Sequence, residues 1–192
     1  MQRDDVPAAR TGAATLDPAA SPAAPQIAPL THLKDYKVAK EDPDVRGWPL
    51  IARDGRTVGK VHDLLVDTAA LRVRYLDVEL ERDLVASAPV VPGTAAPPPV
   101  VDRGDGKAAG HHVLAPIGFA RLDEDHKRVY LDGMDAHDAA VLPAYDHQAF
   151  NRDYETGVRR RWDPRWSPAP NQDFYAGDAY DESRFYGPRR RR

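Results

Sequence analysis

Between Thr57 and Leu80 the chain carries two strand-like runs, TVGKVHDLLVD and RVRYLDVEL, separated by only four residues. Runs rich in β-branched and aromatic residues, joined by so short a turn, read as part of a β meander. The second run alternates. Leu76, Val78 and Leu80 fall on one face and Tyr75, Asp77 and Glu79 on the other, the pattern of a half-buried strand. Gly59 inside the first run marks a bulge or a sharp bend, a device that curls a small sheet towards closure.

The flanking punctuation extends the meander. DPDVRGWP is a loop, Pro49–Ala52 a short strand, and Arg53, Asp54, Gly55 and Arg56 a tight hairpin turn. Residues 84–110, with APVVPGTAAPPPVVDRGDGKAAG, cannot continue a ladder and read as an insertion loop. Strand signals resume at 111–117, 119–122 and 128–131, with a turn at 123–127. A short helix is predicted over 135–142, ended by Pro143. The expected fold is therefore all-β: a small barrel or sandwich with one short helix, a long insertion loop and extended N- and C-terminal tails.

Domain boundaries follow composition. Residues 1–29 form a Pro/Ala-rich arm with no period of 2 or 3.6, residues 30–150 hold the barrel, and residues 151–192 form a tail. With no cysteine in the chain, disulfides, thiolate metal sites and cysteine nucleophiles are excluded, and a reducing compartment fits. The first thirty residues contain Asp4, Asp5 and Asp17 and do not read as a secretory signal. No stretch approaches the roughly 20 apolar residues that span a bilayer. The expected location is cytoplasmic.

The tail is the unusual part. It holds eight of the fifteen aromatic residues, and its ten basic side chains exceed its seven acidic ones, against a net charge of −3 for the whole chain. Disordered segments are poor in aromatics, so this tail expects a surface to lie on. Trp162, Trp166, Tyr175, Phe185 and Tyr186, together with Arg159, Arg160 and Arg161, are the candidate partner-docking residues. Trp, Tyr and Arg are the commonest interface anchors, and the same mixture suits an anionic membrane surface. The seven acidic residues argue against a nucleic-acid arm.

The runs VAKEDPDVRGWPL, DGRTVGKVHDLLVD, RVRYLDVEL and VLAPIGFARLD resemble, in order and spacing, the PRC-barrel family. More narrowly they resemble the cytoplasmic domain of the photosynthetic reaction centre H subunit, over about residues 30–145 and outside the insertion. That resemblance implies a non-catalytic scaffold that caps the cytoplasmic side of the membrane-embedded core subunits, shields the quinone region and supports proton delivery to the secondary quinone. It implies no cofactor held by this chain, bacteriochlorophyll and quinone belonging to the partner subunits. The membrane helix of the H subunit has no counterpart here, so the resemblance also implies either a separate single-helix H-type subunit or a stand-alone soluble adaptor linked to stress or RNA processing. The proton-path candidate is Asp67, at the end of the DLLVD-like strand; Ala70 stands where the family has a glutamate.

Other constellations carry less chemistry. His111 and His112 are adjacent, point to opposite faces of a strand and cannot chelate together; with His126 and His137 elsewhere, no metal site is expected. Asp77 and Glu79 share a strand face, with Arg72, Arg74 and Arg82 nearby, as on a charged outer surface. GxSxG, HExxH and phosphate-cradling glycine loops do not occur, and no enzymatic activity is expected.

Overall fold

The computed structural model describes residues 27–87, 110–169 and 172–187. Seven strands, β1 (Ile27–Pro29), β2 (Pro49–Ala52), β3 (Thr57–Asp67), β4 (Arg72–Leu80), β5 (His111–Pro116), β6 (Arg121–Asp123) and β7 (Arg128–Leu131), make one sheet. Its order is β5-β4-β3-β2-β7-β6. The eleven-residue β3 lies along β4 on one edge, while its other edge is divided between β2 and β1. Among the described residues four α-helices accompany the sheet: α1 (Arg82–Ala86), α2 (Ala136–Ala140), α3 (Arg152–Trp162) and α4 (Ser183–Tyr186). The sequence predicts one of these, α2, and it is shorter than expected; the Asp135 side chain caps it by accepting from the Asp138 amide at 2.9 Å.

Closure is incomplete. The terminal strands β5 and β6 do not pair, so the expected barrel is an open sheet. The outer edge of β5 meets the segment after α2 instead: Val113 bridges Ala144, and the Tyr145 amide donates to the His112 carbonyl at 2.7 Å. A covered edge no longer needs a strand partner. Pairing is antiparallel throughout except between β2 and β7, which run parallel because the chain between them is long enough to cross over.

The predicted hairpin between β2 and β3 forms. Gly55 takes a φ of +80°, and the Ala52 amide donates to the Arg56 carbonyl at 2.9 Å. The register slips beside Gly59, where Leu50 pairs with Gly59 but Ile51 with Thr57. A Cβ on Gly59 would stand 2.2 Å from the Glu79 carbonyl oxygen, which is backbone and cannot swing aside. Gly59→Ala is expected to cost about 1–3 kcal/mol by overpacking, read as a lower urea midpoint; an unchanged midpoint would show that β3 and β4 can separate freely.

Two apolar clusters lie on opposite faces of β3, β4 and β5. The larger includes Val61, Leu64, Leu76, Val78, Val113 and Ile117. The second includes Leu65, Tyr75 and Leu114 with Val158, Tyr175, Ala179 and Tyr180. β4 is therefore not half-buried as its alternation suggests: Tyr75 and Asp77 are buried along with Leu76 and Val78. The cover over Tyr75 is the C-terminal segment.

That segment corrects the reading of an extended tail. Asn151 accepts from the Tyr154 amide at 2.9 Å and starts α3, with Asp153 and Glu155 in the first turn and Arg159, Arg160 and Arg161 in the last, each sign matched to the helix dipole. The chain beyond α3 crosses the sheet so closely that a Cβ on Gly118 would stand 1.8 Å from the Asp178 carbonyl oxygen. Only a glycine permits that approach. At the other terminus, Ile27–Pro29, read as part of the extended arm, is strand β1 and pairs with Asp67, Val66 and Leu65. Residues 1–26 of the arm, most of the insertion loop (88–109) and the terminal arginine run (188–192) lie outside the described residues.

Candidate functional site

Asp67 ends β3 and is 3 % exposed. Its Oδ1 accepts from the amides of Ala69 and Ala70 at 3.1 and 3.0 Å, and its Oδ2 accepts from Arg74 Nε and Nη2 at 3.2 and 3.0 Å. Arg74 reaches it because the register between β3 and β4 shifts after Leu65–Tyr75, to Val66–Val73. A carboxylate held by four donors orders the β3–β4 turn and neutralises a buried guanidinium. These donors belong to the chain itself.

The eight docking candidates are divided by the fold. Tyr175 and Phe185 are buried, at 5 % and 3 % exposure, in the chain's own core. They correct the expectation of partner anchors, because the surfaces these aromatics require are the chain's own: Phe185 packs into the larger apolar cluster and Tyr175 into the second. Trp162 is half-buried, stacks on Phe119 with ring centres 5.6 Å apart, and donates its indole N–H to the Leu114 carbonyl at 3.0 Å. Trp166 packs edge-on against Phe174, and Tyr186 against Phe185. Arg159 lies over the rings of Phe119 and Trp166 and pairs with Asp163 at 3.2 Å. Arg160 and Arg161 alone of the eight are exposed.

Under this cover sits a polar cluster that sequence patterning does not disclose. Glu155 Oε1 accepts from the hydroxyls of Tyr75, at 3.0 Å, and Tyr175, while Oε2 pairs with Arg152 at 3.0 Å. The Tyr180 hydroxyl is 3.0 Å from that of Tyr75 and donates to it, since the Tyr75 proton is committed to Glu155. Burial pushes the Glu155 carboxyl up, against the opposing pull of Tyr175, Arg152 and Tyr75. Burial likewise raises Tyr75 and Tyr175, helped by the neighbouring Glu155 charge. The phenols therefore stay protonated as donors. Glu182, 2 % exposed, similarly accepts from the Val73 amide at 3.2 Å and pairs with Arg72 at 3.3 Å, fastening the end of the chain to β4.

The exposed end of the same sheet face carries different chemistry. Lys60, Glu79 and His112 align across β3, β4 and β5, followed by the row of Asp63, Asp77 and Leu114. Between these rows β3 bulges: Val61 pairs with Val78 and Asp63 with Asp77, leaving His62 as the extra residue. The bulge brings His62 to Asp77 and His112, so that one ligand-capable atom from each lies within 4.8 Å of the others. The Asp77 Oδ1 is 2.8 Å from His112 Nδ1. The imidazoles of His62 and His112 meet edge to face, with ring centres 4.6 Å apart.

The neighbourhood is anionic. Asp77 is buried, and Asp63, 1 % exposed, accepts from the Thr31 hydroxyl at 2.6 Å. Burial opposes ionisation of Glu79, but Lys60 at 3.0 Å, with His112 and His62, outweighs it and holds the carboxyl below its usual value. His111, the other member of the HH pair, pairs with Leu80 on the opposite row, and burial lowers its imidazole. The strand alternation of His111 and His112 was legible; the approach of His62 was not, because a bulge leaves no mark in a period-2 pattern.

No helix among the described residues is long and apolar enough to cross a membrane. A family model for the PRC-barrel domain matches residues 38–137, which run from the loop before β2 through β7 into α2. That span takes in the β3–β4 hairpin, Asp67 and the His62, Asp77 and His112 cluster, and it excludes α3 and α4. By this match over just more than half of its length, the chain belongs to the PRC-barrel domain family.

Proposed function

We propose that this chain is a non-catalytic scaffold subunit that caps the cytoplasmic face of a photosynthetic reaction centre, shielding the quinone region and supporting assembly. The observation that carries this reading is the order and spacing of the four sequence blocks, which resemble those of the H-subunit cytoplasmic domain. The pigments and quinone belong to membrane-embedded partners. Arg160 and Arg161, exposed on α3, face the partner or the anionic lipid around it. Asp67 serves the β3–β4 turn rather than proton delivery, its oxygens being occupied by Ala69, Ala70 and Arg74.

Mild detergent treatment of host membranes tests this. The chain is expected to co-purify with bacteriochlorophyll-containing complexes, and recovery in the soluble fraction alone would overturn the reading. The double variant Arg160→Glu/Arg161→Glu should lower membrane retention at least tenfold at moderate salt, each basic group near an anionic surface contributing about 1 kcal/mol, with its unfolding midpoint unchanged. Retention equal to wild type would remove these arginines from the contact.

A second reading, a stand-alone adaptor that binds another protein, draws on the C-terminal segment covering the sheet from within the same chain. The same fractionation separates the two, since an adaptor stays with soluble partners.

A further inference from the structure

The His62, Asp77 and His112 cluster is unaccounted for by a scaffold role. An ordinary buried aspartate–histidine pair needs Asp77 and His112 only, and their 2.8 Å contact would satisfy both. Yet a bulge in β3 brings a third residue with a ligand nitrogen to the same point. The three come from three adjacent strands, so their separation is set by the sheet ladder and not by a flexible loop. Two imidazoles bound tetrahedrally to one ion at about 2.0–2.1 Å hold their ring centres roughly 5.2 Å apart, so the rings need to spread only a little to admit the ion. The observed separation is 4.6 Å, with the ring planes at 89°.

We propose that His62, Asp77 and His112 form a binding site for a single divalent transition-metal ion of the zinc type. Two imidazole nitrogens and one carboxylate oxygen suit zinc and its borderline neighbours. Calcium and magnesium, which take six or more oxygens, are not matched by this set. Three protein ligands leave a fourth position open, and the exposed His62 puts that position on the solvent side. Asp77, with 7 % side-chain exposure, is the fixed ligand, held from below by the packed sheet. Asp63 and Glu79 add negative charge around the ion, partly offset by Lys60 and by Arg46, 3.9 Å from Asp63. Binding replaces the hydrogen bond between His112 Nδ1 and Asp77, and the ion then ties β3 to β5 across β4.

The test uses the full-length chain, without a histidine tag, stripped by chelator. Calorimetric titration with zinc chloride should give one ion per chain, and cobalt(II) should develop the visible absorption of a four-coordinate nitrogen–oxygen site. His62→Ala removes an exposed side chain outside both apolar clusters, so it should keep the metal-free unfolding midpoint while weakening zinc about 100-fold, as loss of a metal-site group does. His126→Ala, which alters an exposed pair with Asp123 on the β6–β7 turn, should leave zinc affinity unchanged. Asp77→Asn, which keeps the shape of the carboxylate, should weaken zinc by a similar factor. Absence of zinc binding in the wild type would overturn the assignment. So would zinc binding that is equal in the His62→Ala variant, or that is lost in His126→Ala.

Discussion

A chain ending at residue 150 is expected to lose cooperative folding. Such a truncation leaves all seven strands and the whole family-matched region intact, yet it uncovers Leu65, Tyr75 and Leu114. Val158, Tyr175, Tyr180 and Phe185 are each buried. Burial of a large apolar side chain stabilises by about 1.5–3 kcal/mol, so the four together match the roughly 5–15 kcal/mol that holds a typical domain folded. The truncated protein should show dye-accessible apolar surface and no sharp urea transition. If it unfolds with the wild-type midpoint, the segment is a passenger on a self-sufficient barrel. The same loss would appear, in part, for Gly118→Ala, where the Asp178 backbone blocks any side chain.

Glu155→Ala should cost about 3–5 kcal/mol, the range for breaking a buried charge arrangement by removing one member. It strands the hydroxyls of Tyr75 and Tyr175 and leaves Arg152 without its carboxylate. Glu155→Gln keeps an acceptor for both phenols and should cost less. The two also differ in pH dependence. Burial raises the Glu155 carboxyl above its ordinary 4.5, so the folded chain binds this proton more tightly than the unfolded one. The associated stability is fully present below 4.5 and is lost as pH rises through the folded-state value. Wild-type stability, measured against Glu155→Gln by urea titration between about pH 4 and 8, should therefore decline with rising pH. Parallel profiles would show that the carboxyl is not raised.

Both predictions concern contacts that join residues far apart in the chain, which local sequence patterns do not encode. Strands β2, β3, β4 and β7 have the bounds that alternation and turn residues indicate, because those signals are local: Gly55 supplies the positive φ of its hairpin, and β-branched runs fill the strands. Family membership was legible for the same reason, resting on the order of these runs. The aromatic density of residues 151–192 signals a segment that needs a surface, and among the described residues Tyr175, Tyr180 and Phe185 find one within the chain itself. Which surface it covers depends on shape and on pairings such as Glu155 with Tyr75 and Glu182 with Arg72, 80 and 110 residues apart.

The sheet face of β4 shows the division most sharply. Composition and period placed Tyr75, Asp77 and Glu79 together on one side of the strand, and they are there. Whether that side meets water was decided by tertiary structure: the C-terminal segment covers Tyr75, and the His62 bulge and His112 enclose Asp77. A strand's alternation tells which side chains share a face. It carries no information on what a distant segment will lay over that face, nor on where one extra residue in a neighbouring strand will turn a histidine towards it.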